Sequence, residues 1–459
     1  MIYKKNSEKC LSKELFRNPT SEYRGTPFWA WNCKLDKEEL KWQIEVFKKM
    51  GLGGFHMHVR TGMATPYLSD EYMDIVKACV EKAKEEKMLA WLYDEDRWPS
   101  GAAGGLVTKD KKYRARYLLF TPDSYEDSSA SLNINDSRSE GGRNGEGDFL
   151  AAYDVVLDGE GYLKSYKRIG KDDTAEGTKW YAYMEISSSS SWYNNQAYLD
   201  TLSKDAVKRF VEVTHERYKE TVGDDFGDAV PAIFTDEPQF CRKQTLNNST
   251  DKHDINLPWT DDIPETYKKA YGDNILDFLP ELFWDKKNEV SLTRYRYHDH
   301  ISERFSEAFA DVCGSWCREN GLYLTGHMME EPSLHSQTAA LGEAMRSYRG
   351  FDLPGIDMLC NSFEFTTAKQ AQSACHQFGR EGVLSELYGV TGWDFDFRGH
   401  KLQGDWQAAL GVTVRVPHLS WVSMAGEAKR DYPASIHYQS PWWKEYSYVE
   451  DHFARVYSA

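Results

Sequence analysis

What constrains this chain most is an alternation. Eight short apolar runs recur along it, and amphipathic helical stretches separate most of them. The runs are PFWAWN at 27–32, GGFHMHV at 53–59, MLAWLYDED at 88–96 and AVPAIFTDEP from 229. They continue as LYLTGHMMEE at 322–331, IDMLCN at 356–361, GVLSELYG at 382–389 and VTVRVPHLSWV at 412–422. Strands that alternate with helices form parallel sheets joined by crossover connections. Eight such units are the count of a (β/α)8 TIM barrel. An open doubly wound sheet usually carries a Gly-rich turn after its first strand, and none follows Asn32. The expectation is one α/β barrel over residues 1–459.

The helices announce their ends. Asp36 precedes Leu40, Ile44 and Phe47, whose spacing marks one helical face, and Gly51 closes the stretch. Ser69 and Ser203 are N-cap candidates for helices bearing Tyr72, Ile75, Val76, Cys79 and Val80, and Val207 with Phe210. The alternation breaks over 117–192, where RYLLF, DFLAAYDVVLD, YLKSYKRI and KWYAYMEI read as strands. This predicts a small antiparallel β subdomain inserted after the third barrel strand. A polar stretch at 127–148 is too poor in apolar residues for a core and reads as a mobile loop. Residues 241–295 read as loop material, 300–319 as a helix and 405–410 as a short one.

Composition excludes more than it identifies. Apolar residues at 41% suffice for a large core, and a net charge of -16 argues against a nucleic-acid partner. No run of 18 apolar residues occurs, so no membrane span is expected. The start, MIYKKNSEKCLSKE, has no apolar signal core and reads as cytoplasmic, or as exported if a leader was removed. Eight cysteines without a CxxC pair read as reduced thiols. With 15 Trp and 28 Tyr, aromatics are abundant, which suits either a large core or surfaces for sugar rings.

Reactive residues of such barrels lie at the C-terminal strand ends. Those ends hold Trp31 and Asn32, then His56, His58 and Arg60, then Asp94, Glu95, Asp96 and Trp98. Next come Asp236 and Glu237, His327 with Glu330 and Glu331, Asn361, Glu386 with Tyr388, and His418. The loop SGAAGG after Trp98 lacks the GK[ST] ending of a P-loop and reads as a tight turn that lets a ligand approach. Polar groups at every end describe a pocket for a hydroxyl-rich ligand. Paired carboxylates in it suit glycoside hydrolysis, where one acid donates a proton and the other acts as base or nucleophile. The period of two places Asp236 on the face opposite Glu237, where it would orient loops or pair with Arg.

The pieces FWAWN, DKEELKWQIEVFKKMGLGGFHMHVRTG, AWLYDEDRWPSGAAGG, WYNNQAYLDTLSKDAVKRFVEVTHERY and IFTDEP resemble bacterial proteins of glycoside hydrolase family 106, over roughly 20–450. That family is typified by α-L-rhamnosidases acting on plant polysaccharides. The resemblance implies Glu237 as general acid and Glu386 as base, with Glu331 in reserve. It implies inversion, with Glu386 activating water, and dependence on calcium, to which Asp94, Asp96 and Asn361 could contribute. In this reading Asn32, His56, His58, His327 and Tyr388 bind sugar hydroxyls, and Trp31, Trp98 or Trp393 stacks on a ring. Two other readings stand beside it. One is a non-catalytic carbohydrate-binding barrel. The other is a metal-dependent hydrolase using His56, His58, His327 and an acid.

Overall fold

The computed structural model describes residues 2–125, 143–144, 147–426 and 434–459. In chain order the first strands are β1 (Phe28–Trp31), β2 (Gly54–Val59) and β3 (Leu89–Tyr93). Then come β4 (Arg116–Thr121), β5 (Asp148–Leu157), β6 (Leu163–Ile169) and β7 (Thr178–Ile186). β8 (Ala232–Asp236), β9 (Ile255–Trp259), β10 (Tyr323–His327) and β11 (Leu353–Met358) follow. The last are β12 (Leu384–Leu387), β13 (Val414–Pro417) and β14 (Ser420–Trp421).

Nine of these strands form one parallel sheet in the order β13-β12-β11-β10-β8-β3-β2-β1-β14. β13 and β14 are two parts of one run, divided at His418 and Leu419. The first part pairs with β12 and the second with β1, which closes the sheet. The chain is therefore the expected (β/α)8 barrel, with its eighth strand split.

Period-two alternation decides what fills the barrel. Phe28 points inward, 4.9 Å from the Phe234 ring and 5.4 Å from His56. Trp29 and Trp31 point outward. Trp29 packs 5.5 Å from Phe47 of helix Lys37–Lys49, and Trp31 packs 5.5 Å from Tyr72 of helix Asp70–Glu86. The helices start where their caps place them. Asp36 accepts from the Glu38 and Glu39 amides, Ser69 from Tyr72, and Ser203 from Ala206. Each such cap stabilises its helix by about 0.5–2 kcal/mol.

The inserted sheet has the order β6-β5-β7-β4-β9 and is antiparallel throughout. Its β9 comes from the 241–295 stretch read as loop, which also holds helix Ile263–Tyr271. INLPW has the pattern of a strand, but its Pro hid it. Pro258 sits on an edge strand, where a missing donor costs little. Most of the polar stretch 127–148 lies outside the described residues.

Other boundaries moved. Helix Phe397–Ala409 is longer than 405–410, because Asp396 caps it by accepting from Arg398 and Gly399. The predicted helix at 300–319 begins at Leu292, after the cap Ser291, and passes through a π turn at Ser306–Ala310. No helix among the described residues is long and apolar enough to cross a membrane.

Candidate active site

The site begins with strand parity. On β8, Phe234 and Asp236 face into the barrel. On β10, His327 lies beside Asp236 in register, and on β12, Glu386 lies beside Asp357 of β11. These strand ends enclose a pocket of ≈ 140 Å³. Its charged wall is Asp236, Glu237, His327, Asp357 and Glu386, with Arg60. Trp98, Leu359, Val390 and His418 complete it.

Asp236 was expected to turn away from Glu237, but both line the pocket. The reason is backbone. β8 ends at Asp236, and Glu237 takes a left-handed conformation with φ 45, its N–H donating to the His327 carbonyl at 3.2 Å. Once the chain leaves the extended conformation, alternation no longer applies. Such a conformation in a non-glycine residue costs energy and gathers at functional sites.

Charges inside the pocket are sorted by their neighbours. His327 Nε2 lies 2.8 Å from Glu386 Oε2 and 3.6 Å from Asp236 Oδ1. Burial disfavours its imidazolium, but the bond to Glu386 and the charges of Glu386, Asp236 and Asp357 outweigh that and hold its pKa well above the usual value. Burial also raises Asp236. The His58 hydrogen bond, the His327 charge and the Tyr93 hydroxyl, which donates at 2.6 Å, overcome it and leave Asp236 below the usual carboxylate range. Glu237 shifts in the opposite direction. Burial, then Asp236, pushes its carboxyl up to about 8. Burial raises Glu386 as well, and His327 counteracts this. The wall thus sets Glu237, raised to about 8, close to Glu386 and Asp236, both of which the His327 charge pulls toward the ionised form.

The other predicted residues are placed as follows. Trp31 faces the helix layer and not the mouth. Asn32 exchanges hydrogen bonds with the Ser423 backbone at 2.8 and 3.0 Å, tying the end of β1 to the segment after β14. His56 bonds the Thr26 carbonyl at 3.0 Å and stacks on Trp91 deep in the barrel, where burial lowers its pKa to about 3. His58 packs between Phe28 and Tyr93, 3.8 Å from Asp236. Asp94 accepts from Ser100 at 2.6 Å and is fully buried. Glu331 accepts from Tyr348 at 2.9 Å and from the Asp357 amide at 2.9 Å, joining β10 to β11. Asn361 is exposed and accepts from Gln403 at 2.8 Å. Tyr388 turns outward to the His400 carbonyl at 3.1 Å, and Trp393 is 48% exposed. None of these lines the pocket.

Trp98, Asp236, Glu237, His327 and Glu386 do come together. Arg60 and His418 were legible as strand-end groups; Arg60 lies over the Trp98 ring at 4.5 Å, and His418 is 3.6 Å from Glu386. Asp357 was missed, although an acid within the apolar run GIDML was a visible signal.

The SGAAGG loop wraps an internal carboxyl group. The amides of Asp96, Gly101, Ala103 and Gly104 all donate to the Glu95 carboxylate, at 2.6–2.9 Å. Burial still lifts Glu95 to about 7. The amides of Gly101, Ala103 and Gly104 are taken by Glu95 and that of Ser100 by the Asp236 carbonyl, so the chain is tied down directly after Trp98 and Pro99.

Calcium can be tested against the donors. Among the described residues, the acid and histidine groupings able to hold a metal are Asp236, His327, Glu386 and Glu237, His327, Asp357. Neither contains His56 or His58. Both depend on an imidazole already bonded to a carboxylate, whereas calcium takes about six to eight oxygens. That donor set does not fit calcium. Asp96 and Asn361 are engaged elsewhere, Asp96 with Asn194 at 3.0 Å.

No family model matches the chain, and no curated protein matches it in sequence. Among solved structures, the rhamnosidase from Novosphingobium sp. PP1Y is similar with a TM-score of 0.64 at 13% identity, over 97% of this chain and 60% of that one. The catalytic domain of β-amylase from Paenibacillus polymyxa gives a TM-score of 0.45 at 10% identity, over 92% and 98% of the two chains. The second likeness is too loose to add to the first. This chain spans about three-fifths of the rhamnosidase's length, and at such identity the likeness is one of fold: the barrel described above is one that a rhamnosidase also uses.

Proposed function

We propose that this barrel is a glycoside hydrolase that removes a terminal sugar from a plant-type oligosaccharide or polysaccharide. The carrying observation is the pocket wall itself, which brings together Glu237, whose carboxyl burial raises to about 8, and Glu386, 2.8 Å from His327. Glu237 donates a proton to the leaving oxygen, and Glu386 activates water. The small pocket, ≈ 140 Å³, supports action on a terminal sugar. α-L-Rhamnose is the first sugar to try, supported by the motif resemblance and by the fold shared with a rhamnosidase.

The test is release of p-nitrophenol from a panel of p-nitrophenyl glycosides, α-L-rhamnoside included. Wild type and Glu237→Gln are compared with and without EDTA. The expected loss in Glu237→Gln is at least ~10²-fold. Near-normal turnover in that variant would sink the assignment. Sugar binding without any product release would make the protein a carbohydrate-binding barrel. Loss of activity in EDTA would bring in a metal.

A further inference from the structure

Asp357 lies on the pocket wall but has no part in the chemistry above. Its place is fixed on both sides. In register it neighbours Glu386 on β12, and its backbone N–H donates to Glu331 at 2.9 Å. Its carboxyl oxygen comes within 4.8 Å of ligand atoms of both Glu237 and His327. Yet its Oδ1 is buried without a hydrogen-bond partner among the described residues. A buried polar atom left unpaired is costly and rare in native folds, and in a pocket it points to a ligand group.

We propose that Asp357 is a further substrate-binding residue, which grips a hydroxyl of the sugar ring in this pocket and takes no part in the proton transfers. The proposal rests on the glycosidase reading. Two jobs are open to a third carboxyl beside an acid and a base. Asp357 is pressed by Glu386, Glu237 and Glu331, and burial is the larger effect; together they raise its pKa well above the usual carboxylate value despite His327. A carboxyl accepts from a sugar hydroxyl in either charge state, and when protonated it donates as well. His327 bonds Glu386 and lies 3.6 Å from Asp236, Tyr93 donates to Asp236, and His418 lies 3.6 Å from Glu386, whereas Asp357 Oδ1 has no hydrogen-bond partner among the described residues. Asp357 is therefore the carboxyl left over for recognition.

Recognition and base catalysis respond differently to substitution. Asp357→Asn is isosteric, neutral and still both donor and acceptor. Asp357→Ala removes the grip and leaves the ligand hydroxyl unpaired. Binding of free monosaccharides, L-rhamnose included, is measured by titration calorimetry for wild type and both variants. kcat and KM are then measured on the best p-nitrophenyl glycoside. Asp357→Ala is expected to weaken sugar binding and raise KM by roughly 10–100-fold with kcat within about fivefold, and Asp357→Asn to stay within about fivefold in each. A kcat loss of ~10²-fold or more in Asp357→Asn, with sugar still bound, would make Asp357 a base and overturn the proposal. Unchanged binding in Asp357→Ala would overturn it alone. If wild type bound no sugar and cleaved no glycoside, the glycosidase reading would fall first and this proposal with it. The Asn variant guards against misfolding, since it preserves the size of the side chain.

Discussion

At the residue scale, the pH dependence of the proposed reaction follows from two carboxyls. Glu386 must be ionised and Glu237 protonated. Glu386 is raised above its usual value, so the acid limb of kcat/KM should lie above the ordinary carboxylate pKa. The alkaline limb should fall near pH 8, where Glu237 ionises. Glu237→Gln should remove the alkaline limb from whatever activity is left, which a pH–rate profile reads directly. Glu95 gives a second prediction. Its carboxylate takes four backbone amides, and the amide group of Gln cannot accept them all. Glu95→Gln should cost about 1–3 kcal/mol and free Trp98, seen as a lower midpoint in urea and faster proteolysis after Trp98. Much of this was readable beforehand. Asp236, Glu237 and Glu386, with Arg60, His327 and His418, could be picked out as strand-end groups. Which of them share a space could not, because Tyr388 and Trp31 turn outward for reasons of backbone conformation and parity that a list of residues does not hold.

At the element scale, the last helix, Ser447–Ser458, is bound to the barrel by one buried pair. Arg415 of β13 meets both oxygens of Glu450 at 2.7 Å, and Glu450 also accepts from the Gly25 amide at 2.7 Å. Both side chains are fully buried. Removing one partner strands the other charge. Glu450→Gln should therefore destabilise the fold by about 3–5 kcal/mol, whereas a hydrophobic replacement of both partners should cost less. Denaturant unfolding of the single and double variants separates the two. The sequence showed this segment as a final helix. It did not show the pair, since Arg415 lies within an apolar strand and Glu450 looked like any solvated helix residue. β9 was lost for a related reason: an edge strand tolerates the proline that argues against a central one.

At the scale of the whole molecule, burial of ionisable groups sets the pH range of stability. Glu95 and Glu331 are each raised to about 7, Asp200 to about 7 and Glu237 to about 8, all chiefly by burial. The folded state keeps protons on these acids that the unfolded chain has released, so their contribution is complete below the usual carboxylate pKa and is lost as pH rises through about 7 to 8. Buried His56 and His215, lowered to about 3, act oppositely, but only below their usual value near 6.5. Lys243, lowered to about 7, opposes the loss at its upper end. Four acids outweigh one lysine, so the melting temperature should fall between pH 6.5 and pH 8, as scanning calorimetry at several pH values would show.

The sequence by itself determined the barrel, because a period of two alternating with helical spacing leaves few other ways to bury eight apolar runs. It also placed Asp236, Glu237, His327 and Glu386 at strand ends. Tertiary structure alone decided which ends converge, since that depends on sheet closure, on the left-handed turn at Glu237, and on where burial leaves a carboxyl with donors or without. Those are properties of neighbours in space, and the pocket's chemistry follows from them.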